Sequence, residues 1–132
     1  MQRLKLDQRT VLLPNLPQGQ LWGLFQRAFA SVSITTHDGT PNTLLEAMSC
    51  NSLPIAGDIE SLREWIDPGI NGLLVDPSDP GALADAIIYA HNHPGFCSSA
   101  ASKNLTIIAE RAEVRAIRLV IDRFYKSLLG IG

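Results

Sequence analysis

The sequence predicts an α/β domain in which helices cover both faces of a parallel sheet and the early strands are missing. Three observations predict it. Short β-prone runs alternate with helix-period segments. The joins are short and rich in Gly, Pro and Asp. Only about four strands can be counted, the first at about residue 10, so the doubly wound pattern reads as truncated on its N-terminal side. Residues 1–132 form a single partial domain: a ligand-binding lobe over about 10–95, then helices over about 97–130.

The elements follow in order. Val11, Leu12 and Leu13 make a short β-prone run closed by Pro14-Asn15. A helix follows from about Gln18 to Ala28, with Leu21, Leu24, Phe25 and Ala28 on one face. Ala30 to Thr35 reads as a strand that ends before the Asp38-Gly39 turn pair. Thr43 to Cys50 reads as a helix, and Asn51 stands where a left-handed residue closes one. Leu53 to Ala56 is a strand, Ser61 to Ile66 a short helix and Gly72 to Val75 a third strand-like run. Asp79-Pro80 opens a helix in which Asp caps and Pro takes the first turn. After His93-Pro94-Gly95 the tail is largely helical, and Val114, Ile117, Ile121, Phe124 and Leu128 are expected to form its buried stripe.

Bulk properties exclude several functions. A net charge of −2 gives no global attraction to nucleic acid or an anionic membrane. Two cysteines, Cys50 and Cys97, are too few for a disulfide scaffold and fit a reducing compartment. No apolar run approaches the roughly 20 residues of a membrane span, and MQRLKLDQRT lacks the apolar middle of a signal peptide. The expectation is a cytoplasmic protein. No G-x-x-x-x-G-K, G-x-G-x-x-G or G-x-S-x-G occurs, which disfavours ATP hydrolysis, dinucleotide redox chemistry and serine hydrolysis. His91 and His93 lack the Cys, Asp or Glu spacing of a metal site, so no metal is expected.

The segment THDGTPNTLLEAMSCN, residues 36–51, admits two readings. In an open α/β sheet, ligands bind beyond the carboxyl ends of the strands, where loops enter helices. Gly39 would let a ligand approach the backbone, Pro41 would pre-set the turn, and the amides of Asn42, Thr43 and Leu44 would hold a phosphate at the helix start. Asp38 and Glu46 would flank it and accept sugar and ribose hydroxyls. The other reading is local: Thr43-Leu44-Leu45-Glu46 is a capping box and Asp38-Gly39 a plain turn.

The chain as a whole resembles the C-terminal, nucleotide-sugar donor-binding domain of GT-B fold retaining glycosyltransferases, family 4 or group 1. VLLPNLPQGQLWGLFQRAFASVSITT is similar to the family's strand, helix and strand before the donor site. DGTPNTLLEAMSCNSLPIAGDIESLREWI looks like its E-x7-E block, and DPGINGLLVDPSDPGALADAI like the block after it. The tail with Asn104, Glu110, Arg111 and Phe124-Tyr125 is similar to the closing helices, so the likeness runs from about 10 to 128. It implies a Rossmann-like three-layer lobe, transfer of a hexosyl group from a UDP- or GDP-sugar with retention, and no metal or other cofactor. By position, Asp38 matches the first acid, on the donor sugar; Glu46 matches the second, on the ribose; Gly39, Thr40, Asn42, Thr43 and Leu44 match the loop and helix start that hold the diphosphate.

The sequence departs from that pattern. Asp38 is one methylene shorter than the family's Glu, and Asn51 replaces a Gly. The family's basic Arg/Lys pair belongs upstream of Val11, and Arg3, Lys5 and Arg9 do not match it. The acceptor-binding N-terminal lobe is the expected missing partner, so the isolated chain is expected to be inactive. The open sheet edge invites self-association or cover by residues 1–10. A non-catalytic interaction module derived from such a domain is the alternative. Elsewhere, His37 reads as a solvated loop residue, Cys50 as a buried small apolar group, and Trp22 and Trp65 as core or partner-facing. Arg111, Arg115, Arg118 and Lys126 read as a solvated face of the last helix rather than a lipid-facing one.

Overall fold

A computed structural model describes residues 8–37, 39 and 41–129. The elements run α1 (Gln18–Arg27), β1 (Ala30–Ser33), α2 (Asn42–Ser49), β2 (Leu53–Gly57), α3 (Glu60–Arg63), β3 (Leu73–Val75), α4 (Pro80–Asn92), α5 (Pro94–Arg111) and α6 (Val114–Leu129). The three strands form one parallel sheet in the order β1-β2-β3. Val32 pairs with Ile55, and Ile55 with Leu73. This is the expected Rossmann-like arrangement, an open parallel sheet with flanking helices, in partial form.

The central strand explains the layering. All five residues of LPIAG in β2 are buried, as a parallel strand covered on both faces requires. Alternation sends Leu53 and Ile55 to one core, with Val75, Ala90 and Ala100. Ala56 faces the other core, with Leu44, Met48, Leu62 and Ile66.

Most boundaries match the sequence reading. Asp79 caps α4 by accepting from the amides of Gly81 and Ala82 at 2.8 and 3.0 Å, and Pro80 occupies the first turn. Asn51 has φ 65°, and the amides of Asn51 and Ser52 return to Met48 and Ala47 at 3.4 and 3.1 Å. That is a Schellman closure in which Asn serves as the left-handed residue.

Three expectations fail. Val11–Leu13 is not a strand: the run is exposed and lacks pairing, and a β-prone segment gains ladder bonds only beside another strand. The described residues therefore hold three strands, not four. The expected stripe on the tail is not buried either. Val114 is 76% exposed, Phe124 59% and Leu128 65%. Periodicity correctly makes α6 amphipathic, but no described element covers its apolar face. Arg111 also does not lie on this helix. It ends α5, donates to the Glu64 carbonyl at 2.6 Å and places its guanidinium 4.3 Å from the Trp65 ring centre.

A buried polar clasp joins α5 to the loop before β3. Asn71 donates to the Trp65 carbonyl at 2.8 Å and to Asn104 Oδ1 at 2.9 Å, while its own Oδ1 accepts from the Asp67 amide. Asn104 returns a bond to the Asn71 carbonyl at 2.9 Å. Both side chains are fully buried and satisfied, so losing one strands the other. We expect Asn104→Ala to lower the unfolding free energy by about 2 kcal/mol in urea titration, the cost of orphaned buried polar groups.

An uncovered apolar helix face drives association in water. Sedimentation velocity is expected to show concentration-dependent self-association that Ile121→Lys with Phe124→Lys removes. Association that survives both changes would place the contact at the outer edge of β1 instead.

Candidate functional site

Parallel strands send every strand-to-helix loop to one edge of the sheet. The loop after β1 spans residues 34–41 and leads into α2; the loops after β2 and β3 carry Asp58 and Asp76. Gly57 lets the first two loops pack closely. A Cβ on Gly57 would come 2.5 Å from the Thr35 carbonyl oxygen, closer than any side chain tolerates. Sequence reasoning passed over Gly57, because the close approach belongs to a residue 22 positions away.

The start of α2 bears on the local reading of this segment. The helix begins at Asn42 with Pro41 as its N-cap, and no side chain among the described residues caps it. Thr43 is inside the first turn, so the expected capping box does not form. Glu46 turns outward and accepts from Gln18 Nε2 at 2.7 Å. The Leu44 amide is taken by the Pro41 carbonyl at 3.0 Å, which removes it from the expected donors. The amides of Asn42 and Thr43 have no partner among the described residues, and both residues are exposed. A Cβ at Gly39 would meet nothing within 4 Å, so space is open there. Asp38 and Thr40 lie outside the described residues.

The two ends of the loop face different cavities. Thr36 and His37 line one of about 350 Å³, together with Glu60 and Glu64 of the α3 segment. Asn42 and Glu46 line another of about 470 Å³, beside Gln18 and Trp22 of α1. Both volumes suit a small-molecule site. His37 is exposed, and its Nδ1 lies 2.7 Å from the Thr36 carbonyl.

Charged groups at this edge are held in place. Arg63 donates twice to Asp58, at 2.6 and 2.9 Å, and this bond draws the Asp58 carboxyl below its ordinary range. Ser78 does the same for Asp76 through its hydroxyl and amide. Cys50 lines the larger cavity, but burial, aided by the charge on Glu46, pushes its thiol up, away from a nucleophilic thiolate. Among the described residues no group of three His, Cys, Asp or Glu could hold a metal ion, and no helix is long and apolar enough to cross a membrane.

The model of the family described as glycosyl transferases group 1 matches residues 1–109. The chain belongs to that family. This group 1 chain is 27% identical over 125 residues to the lipopolysaccharide core biosynthesis mannosyltransferase LpcC of Rhizobium leguminosarum bv. viciae, covering 95% of this chain and 35% of that protein. It superposes on sucrose-phosphate synthase from Thermosynechococcus elongatus with a TM-score of 0.85 at 23% identity, over 99% of this chain and 33% of that one. Anabaena Alr3699/HepE in complex with UDP and glucose gives 0.81 at 22%, over 96% and 34%. The C-terminal domain of a group 1 LpcC from Francisella tularensis gives 0.74 at 16%, over 86% and 58%. These structures share the fold. The chain spans about a third of the length of the first relatives it matches.

Gly57 offers a direct check on how the loops are packed. Gly57→Ala is expected to destabilise by about 1–3 kcal/mol, the usual cost of overpacking, read as a lower midpoint in thermal unfolding.

Proposed function

We propose that this chain is the donor-binding lobe of a GT-B glycosyltransferase of family 4. In this reading a hexosyl group passes from a UDP- or GDP-sugar to an acceptor with retention of configuration, and the acceptor-binding lobe lies outside the chain. The observation that carries the reading is the start of α2, where the amides of Asn42 and Thr43, without a partner among the described residues, stand at the carboxyl end of β1 with Glu46 one turn further on. The likeness to a HepE structure that holds UDP and glucose supports it.

The chemistry follows from charge. When the bond between the sugar's anomeric carbon and the diphosphate breaks, negative charge grows on the leaving phosphate oxygen. Two amide donors and the positive end of the α2 dipole offset part of that charge without a metal. Glu46 would accept the ribose hydroxyls and Asp38 those of the donor sugar, with Thr40 beside the diphosphate and Gly39 leaving room for it. The further positive charge, an Arg/Lys pair in the resembled family, would come from outside the matched segment. The isolated chain then binds donor but transfers nothing. Its expected setting is the cytoplasm, peripheral to a membrane in the full-length enzyme, with the open edge of β1 as the alternative to α6 for self-association and no nucleic acid partner.

Calorimetric titration tests the reading. UDP or GDP is expected to bind the chain, and Glu46→Ala to weaken it about tenfold, the worth of a hydrogen bond to a charged acceptor. A coupled assay with UDP- and GDP-sugars is expected to detect no nucleotide diphosphate release. Release that depends on Asp38 would contradict the inactive-lobe reading, and absence of heat with every nucleotide would favour a non-catalytic interaction module.

A further inference from the structure

The groove between α1 and α2 is built by helix periodicity. Gln18 and Trp22 are one turn apart and share a face of α1. Asn42, Glu46 and Ser49 share a face of α2 at spacings of four and three. Ile108, near the end of α5, also lines the groove. Leu21 and Leu24 of α1, with Ala28 at its C-cap, turn to β1, and Gln18 and Trp22 flank that stripe. Gln18 and Trp22 are therefore left for the groove, and both are exposed.

One bond crosses this groove. Gln18 Nε2 donates to Glu46 Oε1 at 2.7 Å, over 28 residues of chain. The bond keeps Glu46 off its own helix start. It occupies one lone-pair direction of Oε1 and leaves Oε2, with the rest of Oε1, for hydroxyl donors. The donor is a neutral side-chain amide. A vicinal diol offers two such hydroxyls at matching spacing. The Trp22 indole lies in the same groove, where a planar base can stack on it.

We propose that Gln18 is a positioning residue that fixes Glu46 for the two ribose hydroxyls of the donor nucleotide, so that the α1–α2 groove selects ribonucleotides over 2′-deoxyribonucleotides. The proposal rests on the donor-lobe reading and adds to it the residue on α1 that sets sugar discrimination. Losing Gln18 frees Glu46 to rotate, and the gain from the 2′-hydroxyl falls even though the carboxylate remains.

The test is calorimetry on the full chain with UDP, 2′-deoxy-UDP, GDP and 2′-deoxy-GDP. The chain is expected to prefer the ribonucleotide about tenfold. Gln18→Ala is expected to bring that ratio close to one, as Glu46→Ala does, with no further change in the double variant. Gln18→Lys keeps a donor of similar reach and is expected to restore the ratio. A mere structural tether between α1 and α2 would weaken both nucleotides alike and leave the ratio alone. Gln18→Ala with an unchanged ratio, where Glu46→Ala has lost it, overturns the proposal. Equal binding of ribo- and deoxyribonucleotides by the unaltered chain also overturns it while the donor-lobe reading stands. No binding of UDP or GDP at all overturns both.

Discussion

Parallel pairing of three strands is the constraint on which the rest of this molecule depends. Because β1, β2 and β3 run in one direction, each return must cross a face of the sheet, and each strand must release its chain at the same edge. That places the loop over 34–41, Asp58 and Asp76 side by side without any sequence motif bringing them together. It also buries β2 on both faces, which fixes its register and so fixes where Gly57 meets the Thr35 carbonyl. A one-residue slip would turn Leu53 and Ile55 out of their core and move the mouth of α2 with them.

What could be read from the sequence was local. Asp79-Pro80 announces the start of α4, because a capping carboxylate and a proline act within one turn. Asn51 announces the end of α2, because a left-handed residue is needed there. The same local logic misled at Thr43. The spacing from Thr43 to Glu46 fits a capping box, but Pro41 starts the helix two residues early, and a partner on α1 takes the glutamate. That partner, Gln18, is 28 residues away, and no short-range pattern encodes it. Val11–Leu13 failed for a related reason: β-propensity describes a residue's fitness for a strand, and the strand exists only if another lies beside it.

The start of α2 shows how a weak local device is placed by the fold. An uncapped helix start is ordinarily a small defect, since the first amides lack partners. Here it opens at the carboxyl edge of the sheet, with room at Gly39 and a carboxylate one turn on. A capping box would have spent Glu46 on the backbone and closed the helix mouth. The Gln18 contact does the opposite, drawing Glu46 aside and leaving two amides without a partner among the described residues. Local stability is lower there than in a helix whose first turn is capped.

The same reasoning applies to α6, where periodicity told the truth about pattern and nothing about cover. Val114, Ile121, Phe124 and Leu128 share one apolar face, and Arg115, Arg118, Arg123 and Lys126, with Asp122, supply the polar side. A helix so divided gains little by standing in water, because most of its stabilisation must come from burying that face. The rest of the fold does not need it: the Asn71–Asn104 clasp and the Arg111 contact with Glu64 and Trp65 already lock α5 in place before α6 begins. The sheet, its two cores and the α2 mouth are therefore complete without α6, whose apolar face is surface for something else to meet.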